Sequence, residues 1–327
     1  MTTPHYLRST DYYEVGREKI REFARAVQDL HPAHWDDDAA RALGHPALIA
    51  PVTFLSSIAI PAQRVMFDRA LAAYPHSRLL HLEQEIHLHR PVRAGDRLGC
   101  ELAVDSVHPT ANGDLVTVTT AIRDHDGDLV QTVHTTLLGV TGEDDAAESL
   151  GMQQLSAPIP PPREVTGQPD LSPDAGDGSA GETELVAGHR FPSRTYRLTR
   201  GDLVNYAGVS GDNNPIHWNE TVARAAGLTT VVAHGMLTMG LGATYLTDCL
   251  ATPADLRDYA VHFANPVYIA PDRPTDLEFT ATVRRVDTPG HRATIALTAQ
   301  TAEHQIFARA TATARLRQPR VATRALG

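Results

Sequence analysis

The sequence predicts an α+β fold in which one unit occurs twice, each copy a curved antiparallel sheet wrapped around a long buried helix. Three observations predict it. The first is an internal repeat. Phe23-Ala-Arg-Ala-Val-Gln-Asp-Leu-His-Pro-Ala-His-Trp aligns with Tyr206-Ala-Gly-Val-Ser-Gly-Asp-Asn-Asn-Pro-Ile-His-Trp. Asp29 and Asp212, Pro32 and Pro215, His34 and His217, Arg41 and Arg224, and Gly44 and Gly227 all keep one offset of 183 residues. Farther on, Arg90-Pro-Val-Arg-Ala-Gly-Asp matches Asn265-Pro-Val-Tyr-Ile-Ala-Pro-Asp at an offset of 175, so the first copy carries an extra stretch, placed around Ile60 to Ser77. A duplication this long implies two copies of one fold. The second observation is Gly235 to Leu250, apolar on most faces as a buried helix is. The third is a set of four extended runs closing each half, separated by turn signals.

The elements follow in order. Ile20, Phe23, Ala24 and Val27 keep the i, i+3, i+4, i+7 spacing of a helix face, and Leu203, Tyr206 and Ala207 repeat it. Thr199 is placed to cap that second helix, with Asp202 three residues on in a capping-box position. A further short helix is expected over Asn219 to Ala226. In the first half, strands are expected at Leu80 to Leu88, Leu98 to Val107, Leu115 to Arg123 and Leu129 to Val140. In the second they are expected at Tyr259 to Val267, Leu277 to Val286, Ala293 to Thr301 and Gln305 to Leu316. Each set reads as a meander. Asn112-Gly113 and Asp126-Gly127 mark hairpin turns, and Thr288-Pro-Gly-His marks another.

Between the halves, Pro, Gly, Asp and Ser dominate and periodicity disappears. We read 1–142 as the first domain, 143–184 as a flexible linker and 185–327 as the second domain. A flexible chain of about 40 residues has an end-to-end distance of about 35 Å, which lets the halves sit side by side.

Composition excludes several classes. The chain has 327 residues and a net charge of −10, which argues against general nucleic-acid binding. No apolar stretch approaches the ~20 residues of a membrane span. The first residues, Met-Thr-Thr-Pro-His-Tyr, lack a basic region followed by an apolar core, so no signal peptide is expected. Two cysteines, Cys100 and Cys249, lie far apart, so a disulfide framework is not expected and a reducing cytoplasm is the simple reading.

The chemistry concentrates on one loop. Asp212 and His217 flank Pro215, and a residue before proline is pushed to extended geometry, so this segment is read as a turn. A turn lets both side chains aim at one point. Carboxylate plus imidazole is a pair suited to moving a proton near pH 7. Ala233-His-Gly then opens the apolar helix. The Gly235 amide has no intrahelical acceptor, and without a Cβ it admits a substrate carbonyl. A thioester carbonyl polarised there has a more acidic α-carbon, and the enolate that develops is stabilised. Trp218 and Met236 are read as core or pocket wall, and the role of His234 is left open.

With Gly211-Asp-Asn-Asn-Pro-Ile-His and Ala233-His-Gly-Met in view, the chain resembles the MaoC-like dehydratases and (R)-specific enoyl-CoA hydratases. The resemblance covers the chain as two hotdog units, a double hotdog. More narrowly, Tyr13-Glu-Val-Gly-Arg-Glu-Lys-Ile-Arg-Glu and Gly127-Asp-Leu-Val-Gln are similar to the non-catalytic subunit of the actinobacterial (3R)-hydroxyacyl-[acyl-carrier-protein] dehydratase. Leu198-Thr-Arg-Gly-Asp-Leu-Val-Asn-Tyr-Ala-Gly-Val-Ser-Gly-Asp is similar to its catalytic subunit. The resemblance implies reversible syn removal of water from a (3R)-3-hydroxyacyl thioester in fatty-acid elongation. It implies Asp212 and His217 as the catalytic dyad and the Gly235 amide on the thioester carbonyl, with Asn214, Ser210 and His234 in support. No cofactor is expected beyond a phosphopantetheine arm that arrives with the substrate. The expected partners are an acyl-carrier protein or CoA thioesters, and no nucleic acid or membrane; homo-oligomerisation of the internal pseudo-dimer stays open.

The first half departs from the pattern. Asp29 and His34 keep the dyad positions, but His31 replaces the asparagine, and Ala50-Pro-Val-Thr replaces Ala233-His-Gly-Met. Pro51 lacks an amide proton, and Val52 brings a branched side chain where a bare glycine is needed. We therefore read Asp29 and His34 as a vestigial site. His81, His87 and His89 share parity on a predicted strand and so could share a face. Solvated or interface histidines are the expectation there, and no metal. Arg90, Arg93, Arg284 and Arg285 are candidates for a basic mouth facing an acidic carrier. The rival readings are an (R)-specific hydratase of CoA thioesters and a non-catalytic thioester-binding scaffold.

Overall fold

The computed structural model describes residues 6–71, 74, 79–140, 163–164 and 185–316. Apart from Arg163 and Glu164, the expected linker 143–184 lies outside the described residues, as does 317–327. The first half runs through strands β1 (Tyr6–Arg8) and β2 (Tyr13–Glu14), then helices α1 (Arg17–Ala26), α2 (Asp37–Ala42) and α3 (Ser56–Ala70). It continues with β3 (Leu79–Leu88), β4 (Arg97–Thr110), β5 (Gly113–Asp124) and β6 (Leu129–Gly139), and β7 (Arg163–Glu164) follows. The second half has β8 (Arg194–Leu198), α4 (Arg200–Ser210), α5 (Glu220–Ala225) and α6 (Gly235–Leu250). It ends with β9 (Leu256–Phe263), β10 (Thr275–Asp287), β11 (Arg292–Gln300) and β12 (Phe307–Arg315).

The described strands form one antiparallel sheet, ordered β7-β1-β4-β5-β6-β3-β9-β12-β11-β10-β8, with β2 on β4. Two curved half-sheets, each holding a helix, meet where β3 pairs with β9, Ile86 opposite Tyr259. This is the expected double hotdog. The expected meander needs one correction. β4, β5 and β6 are joined by hairpins, but β3 crosses over to lie beside β6 rather than β4. The second half repeats this, with β9 beside β12. The crossover buries each central helix against its own sheet and leaves β3 and β9 free to join the halves.

Local chemistry explains the helices that carry the site. The Thr199 side chain accepts from the Asp202 N–H while Asp202 accepts from the Thr199 N–H at 2.7 Å, a reciprocal cap on α4. The helix stops at Gly211, whose φ of 77° suits a residue without a Cβ. Helix α6 is buried along most of its length. Its glycines let it sit close. A Cβ on Gly242 would fall 2.3 Å from the Tyr259 hydroxyl, and one on Gly240 would fall 2.7 Å from Val27 of the other half. Helix α3 is different: Pro61 interrupts its hydrogen bonding, and it carries Gln63 and Arg64 on its inward side. No helix among the described residues is long and apolar enough to cross a membrane.

Candidate active site

Helix α4 and the start of α6 together aim the loop at Asp212. The buried Ser210 hydroxyl donates to the Tyr206 carbonyl at 2.7 Å and accepts from the Asp212 N–H at 3.2 Å. The Asn214 side-chain oxygen accepts from the Ile216 N–H at 3.3 Å, capping a 3-10 turn over Pro215–His217. The His217 Nδ1 lies 2.8 Å from the Val232 carbonyl. A carbonyl only accepts, so Nδ1 carries the proton and Nε2 is left bare. The role of His234 now becomes defined. Its Nε2–H donates to the Asp212 backbone carbonyl at 3.1 Å, and its ring stacks on His217 at 3.7 Å between centroids. It braces both members of the dyad.

Donor atoms of Asp212, His217 and His234 all lie within 4.8 Å of one another. Among the described residues this is also the group of side chains close enough to hold a metal ion. Electrostatics sets their charge states. Burial pushes the Asp212 carboxyl upward, but the two imidazoles, the Asn214 N–H and the Arg64 guanidinium outweigh it and hold it below the usual aspartate range. Burial pushes His217 below the ordinary histidine value against the pull of Asp212. Burial and the neighbouring His217 push His234 down to about 3. At neutral pH the site therefore holds one carboxylate and two neutral rings, His217 with a free basic nitrogen.

Asp212 opens into a cavity of about 150 Å³. Its own half supplies little of the wall, chiefly Asn214 and Met236. The rest comes from the first half: α3 gives Ser56, Gln63, Arg64 and Phe67, and β3 and β6 give His81, Gln84, Gln131 and Thr135 among others. The extra stretch does reach the pocket through Ile60, Gln63, Arg64 and Phe67, while 72–73 and 75–78 lie outside the described residues. Arg64 crosses between halves and donates to the Asn213 side-chain oxygen, pinning the dyad loop. Gly211 presses on the same helix, where a Cβ would meet Pro61 at 2.9 Å. Gly235 opens α6 beside this cavity, partly exposed between buried neighbours. A Cβ there would stand 3.4 Å from the Phe263 ring.

The pair in the first half has kept its frame and lost its opening. His34 Nδ1–H donates to the Ile49 carbonyl at 2.6 Å, as His217 does to Val232. His31 accepts from the Ala33 N–H at 3.2 Å, doing the work of Asn214. But His34 Nε2 lies 3.2 Å from the Asp29 carboxylate, and the side chains are only 0% and 2% exposed. Helix α6 closes this loop, because the Thr244 hydroxyl donates to the Val27 carbonyl at 3.0 Å. Val52 and Pro51 stand where Gly235 and His234 stand in the second half, and α3 begins only at Ser56.

Three expectations need correction. Trp218 is neither core nor pocket wall: it is 38% exposed, and its indole N–H donates to the Asn213 carbonyl at 3.1 Å. The three histidines of β3 do not share a face, because the register shifts between His81 and Glu83. His81 lines the cavity and bonds Gln84 at 2.7 Å, whereas His87 meets Asp258 at 2.7 Å and His89 meets Thr132 at 2.9 Å. The four arginines are not one patch. Arg90 is held by Asp96 and Asp124 at 2.7 and 3.0 Å, and Arg93 precedes β4 on one wing. Arg284 and Arg285 lie on β10 in the opposite wing. Sequence reasoning missed Arg64, Gln63, His81 and Gln84 as site residues. The available signal was the extra stretch around Ile60 to Ser77, which holds Gln63 and Arg64; nothing comparable marked His81 and Gln84.

Residues 2–133 match the model described as FAS1-like, dehydratase domain region, and residues 185–304 match the MaoC like domain. A UPF0336 protein of Streptomyces griseus is 44% identical over 135 residues, 41% of this chain and 90% of the relative. A solved MaoC-like dehydratase is 37% identical, with a TM-score of 0.88 over 95% of this chain and 98% of the other. A Mycobacterium tuberculosis protein described as a double hotdog fold shares the fold at 16% identity, with a TM-score of 0.65 over 97% of this chain and 96% of the other.

Proposed function

The chain belongs to the MaoC-like dehydratases, hydro-lyases of the hotdog fold, and we propose that its reaction is the reversible syn removal of water from a (3R)-3-hydroxyacyl thioester carried by an acyl-carrier protein. One observation carries the reading. An ionised Asp212 that lines a cavity and a neutral His217 with a bare Nε2 lie within reach of one another, and Gly235, the first residue of a buried helix, precedes Met236 of the same cavity wall.

The charge states suit a definite division of labour. The Gly235 N–H receives the thioester carbonyl, where the positive end of α6 favours the enolate. His217 Nε2 takes the C2 proton. Asp212 accepts the hydrogen bond of the C3 hydroxyl and holds it on the same face. As the C2–C3 double bond forms, the C3–O bond breaks and the leaving oxygen takes the proton back from His217 as water. Asp212 stabilises the imidazolium in between. Asn214, Ser210 and His234 hold the loop. The phosphopantetheine arm is part of the substrate, and the chain supplies no further cofactor. Asp212→Asn and His217→Ala, assayed for hydration of trans-2-enoyl thioesters, test the dyad: near-normal turnover by either folded variant removes it.

A second reading, an (R)-specific hydratase of CoA thioesters, is favoured by the arginines. Arg90 and Arg93 lie on one wing and Arg284 and Arg285 on the other, so these four make no single basic mouth for an acidic carrier. Comparing kcat/KM for crotonyl-CoA and carrier-bound crotonate decides between them.

A further inference from the structure

The cavity wall is more polar than an alkyl chain requires. Thr135 donates to Gln84 at 2.9 Å, Gln63 donates to Thr120 and Thr135 at 3.3 Å each, and His81 meets Gln84 at 2.7 Å. This band begins next to the catalytic loop, since His81 feels the charge of Asp212. Four residues before Thr135 on β6 stands Gln131. It lines the cavity, is 1% exposed, and its side-chain oxygen has no partner among the described residues. A buried amide kept only for packing would be replaced by an apolar side chain at lower cost, or would be paired. An unpaired one in a residue that lines a cavity is poised for a ligand.

We propose that the acyl group taken by this pocket is short and carries a hydroxyl on its chain beyond C3, received by Gln131 and the Gln84–Thr135 band. The inference rests on the thioester reading of the site. A cavity of 150 Å³ matches in volume one that holds a ligand the size of benzene, so the buried part of the chain is short. A hydroxyl both donates and accepts, so it pairs with Gln131 whichever way the amide is turned. A carboxylate is disfavoured. Among the described residues the one cation on the wall, Arg64, already faces Asp212 and Asp68, and burial keeps His81 from taking up a proton.

The test is a competition within each protein. The full-length chain and its Gln131→Leu variant are assayed for hydration of trans-2-hexenoyl-CoA, 5-hydroxy-trans-2-hexenoyl-CoA and 6-hydroxy-trans-2-hexenoyl-CoA. The readout is the ratio of kcat/KM for hydroxylated over plain chains, which a general loss of folded protein leaves unchanged. The native chain is expected to favour one hydroxylated chain by about tenfold, and Gln131→Leu to abolish or invert that preference. A plain chain turned over as well as both hydroxylated ones, or an unchanged ratio in Gln131→Leu, overturns the inference and leaves the dehydratase reading standing. No turnover of any thioester, free or carrier-bound, overturns that reading and this inference with it.

Discussion

Two aspartate–histidine pairs stand at equivalent places in the two halves, and their surroundings differ more than their geometry. Both histidines donate Nδ1–H to a backbone carbonyl 15 residues downstream. Both loops pack on the central helix of the opposite half. In the first half the carboxylate lies 3.2 Å from the ring's Nε2 and both side chains are sealed from solvent. In the second the carboxylate lines a cavity whose wall also holds Met236, the residue after Gly235 in α6. The difference originates in the opposing helix. Helix α6 lies close on its sheet because Gly242 admits it where Tyr259, Phe279 and Leu297 crowd the space, and Gly240 lets it close on Val27 and Thr53 of the first half. Helix α3 carries Pro61 and polar side chains, and the space between it and its sheet remains open. The two pairs thus differ in what the opposite half leaves empty beside them.

The largest expected effect tests the open pair. Asp212→Asn and His217→Ala are each expected to lower kcat/KM by about 10²–10⁴-fold with unchanged far-UV circular dichroism. The pH profile follows from the same pair. His217 must be neutral, and burial holds its pKa below the ordinary 6.5, so kcat/KM is expected to stay level down to that pH and fall only below it. The sign for stability is the same. A histidine whose folded pKa is depressed binds fewer protons than in the unfolded chain. Stability is therefore complete above 6.5 and is lost as the pH falls through that value. An acid limb above 6.5 in kcat/KM breaks the assignment of His217 as the resting base.

Next is the amide, the feature the first half has lost. Gly235→Pro removes the N–H at a helix position where proline is tolerated, and His234 already has the extended ψ of 132° that a residue before proline needs. Turnover is expected to fall by about 10²–10³-fold. Gly235→Ala keeps the donor, and its Cβ meets the Phe263 ring at 3.4 Å, so it is expected to lose less than about tenfold. Equal losses in the two variants would show that space around Gly235 matters and its amide does not.

How legible these differences were depended on how local they are. The dyad loops, the cap at Thr199 and the span of α6 rest on short-range spacing, and the sequence showed them. The crossover of β3 to β6 is a choice of partner between distant strands, and alternation in one strand carries no record of it. The shift of register at His81 reversed the parity argument for the histidines after it. Arg64 and Gln63 read as unremarkable polar residues of a helix, because their meaning lies in the loop and strands of other segments. The partner half, and not the motif, held most of the missing information.

Arg64 sharpens the comparison further. It is the cross-half brace on the working loop, and its positive charge helps keep Asp212 ionised. Arg64→Met keeps the length of the side chain and removes both effects. A loss of about tenfold in kcat/KM is expected, because misplacement of a positioned group costs rate even far from the reacting bonds. Arg64→Lys restores the charge without the planar fork. Recovery with lysine assigns the effect to the field on Asp212, and no recovery assigns it to the bond with Asn213.

The smallest effect on rate is expected in the sealed pair, and there the comparison can fail outright. Asp29→Asn disturbs a buried carboxylate that accepts from the His31 N–H at 3.1 Å and meets His34 at 3.2 Å. With the ring and carboxylate only 0% and 2% exposed, turnover is expected to stay within about twofold of the native chain, since the substitution leaves the Asp212 loop untouched. Its cost is expected in stability instead, about 1–3 kcal/mol in denaturant unfolding, the range for a buried group left with a poorer partner. The loop it holds also carries Val27, whose carbonyl accepts from Thr244 of α6, so weakening it loosens the packing of one half on the other. A rate loss approaching that of Asp212→Asn would mean that the first half performs chemistry of its own, and the distinction between a closed pair and an open one would no longer separate structure from catalysis.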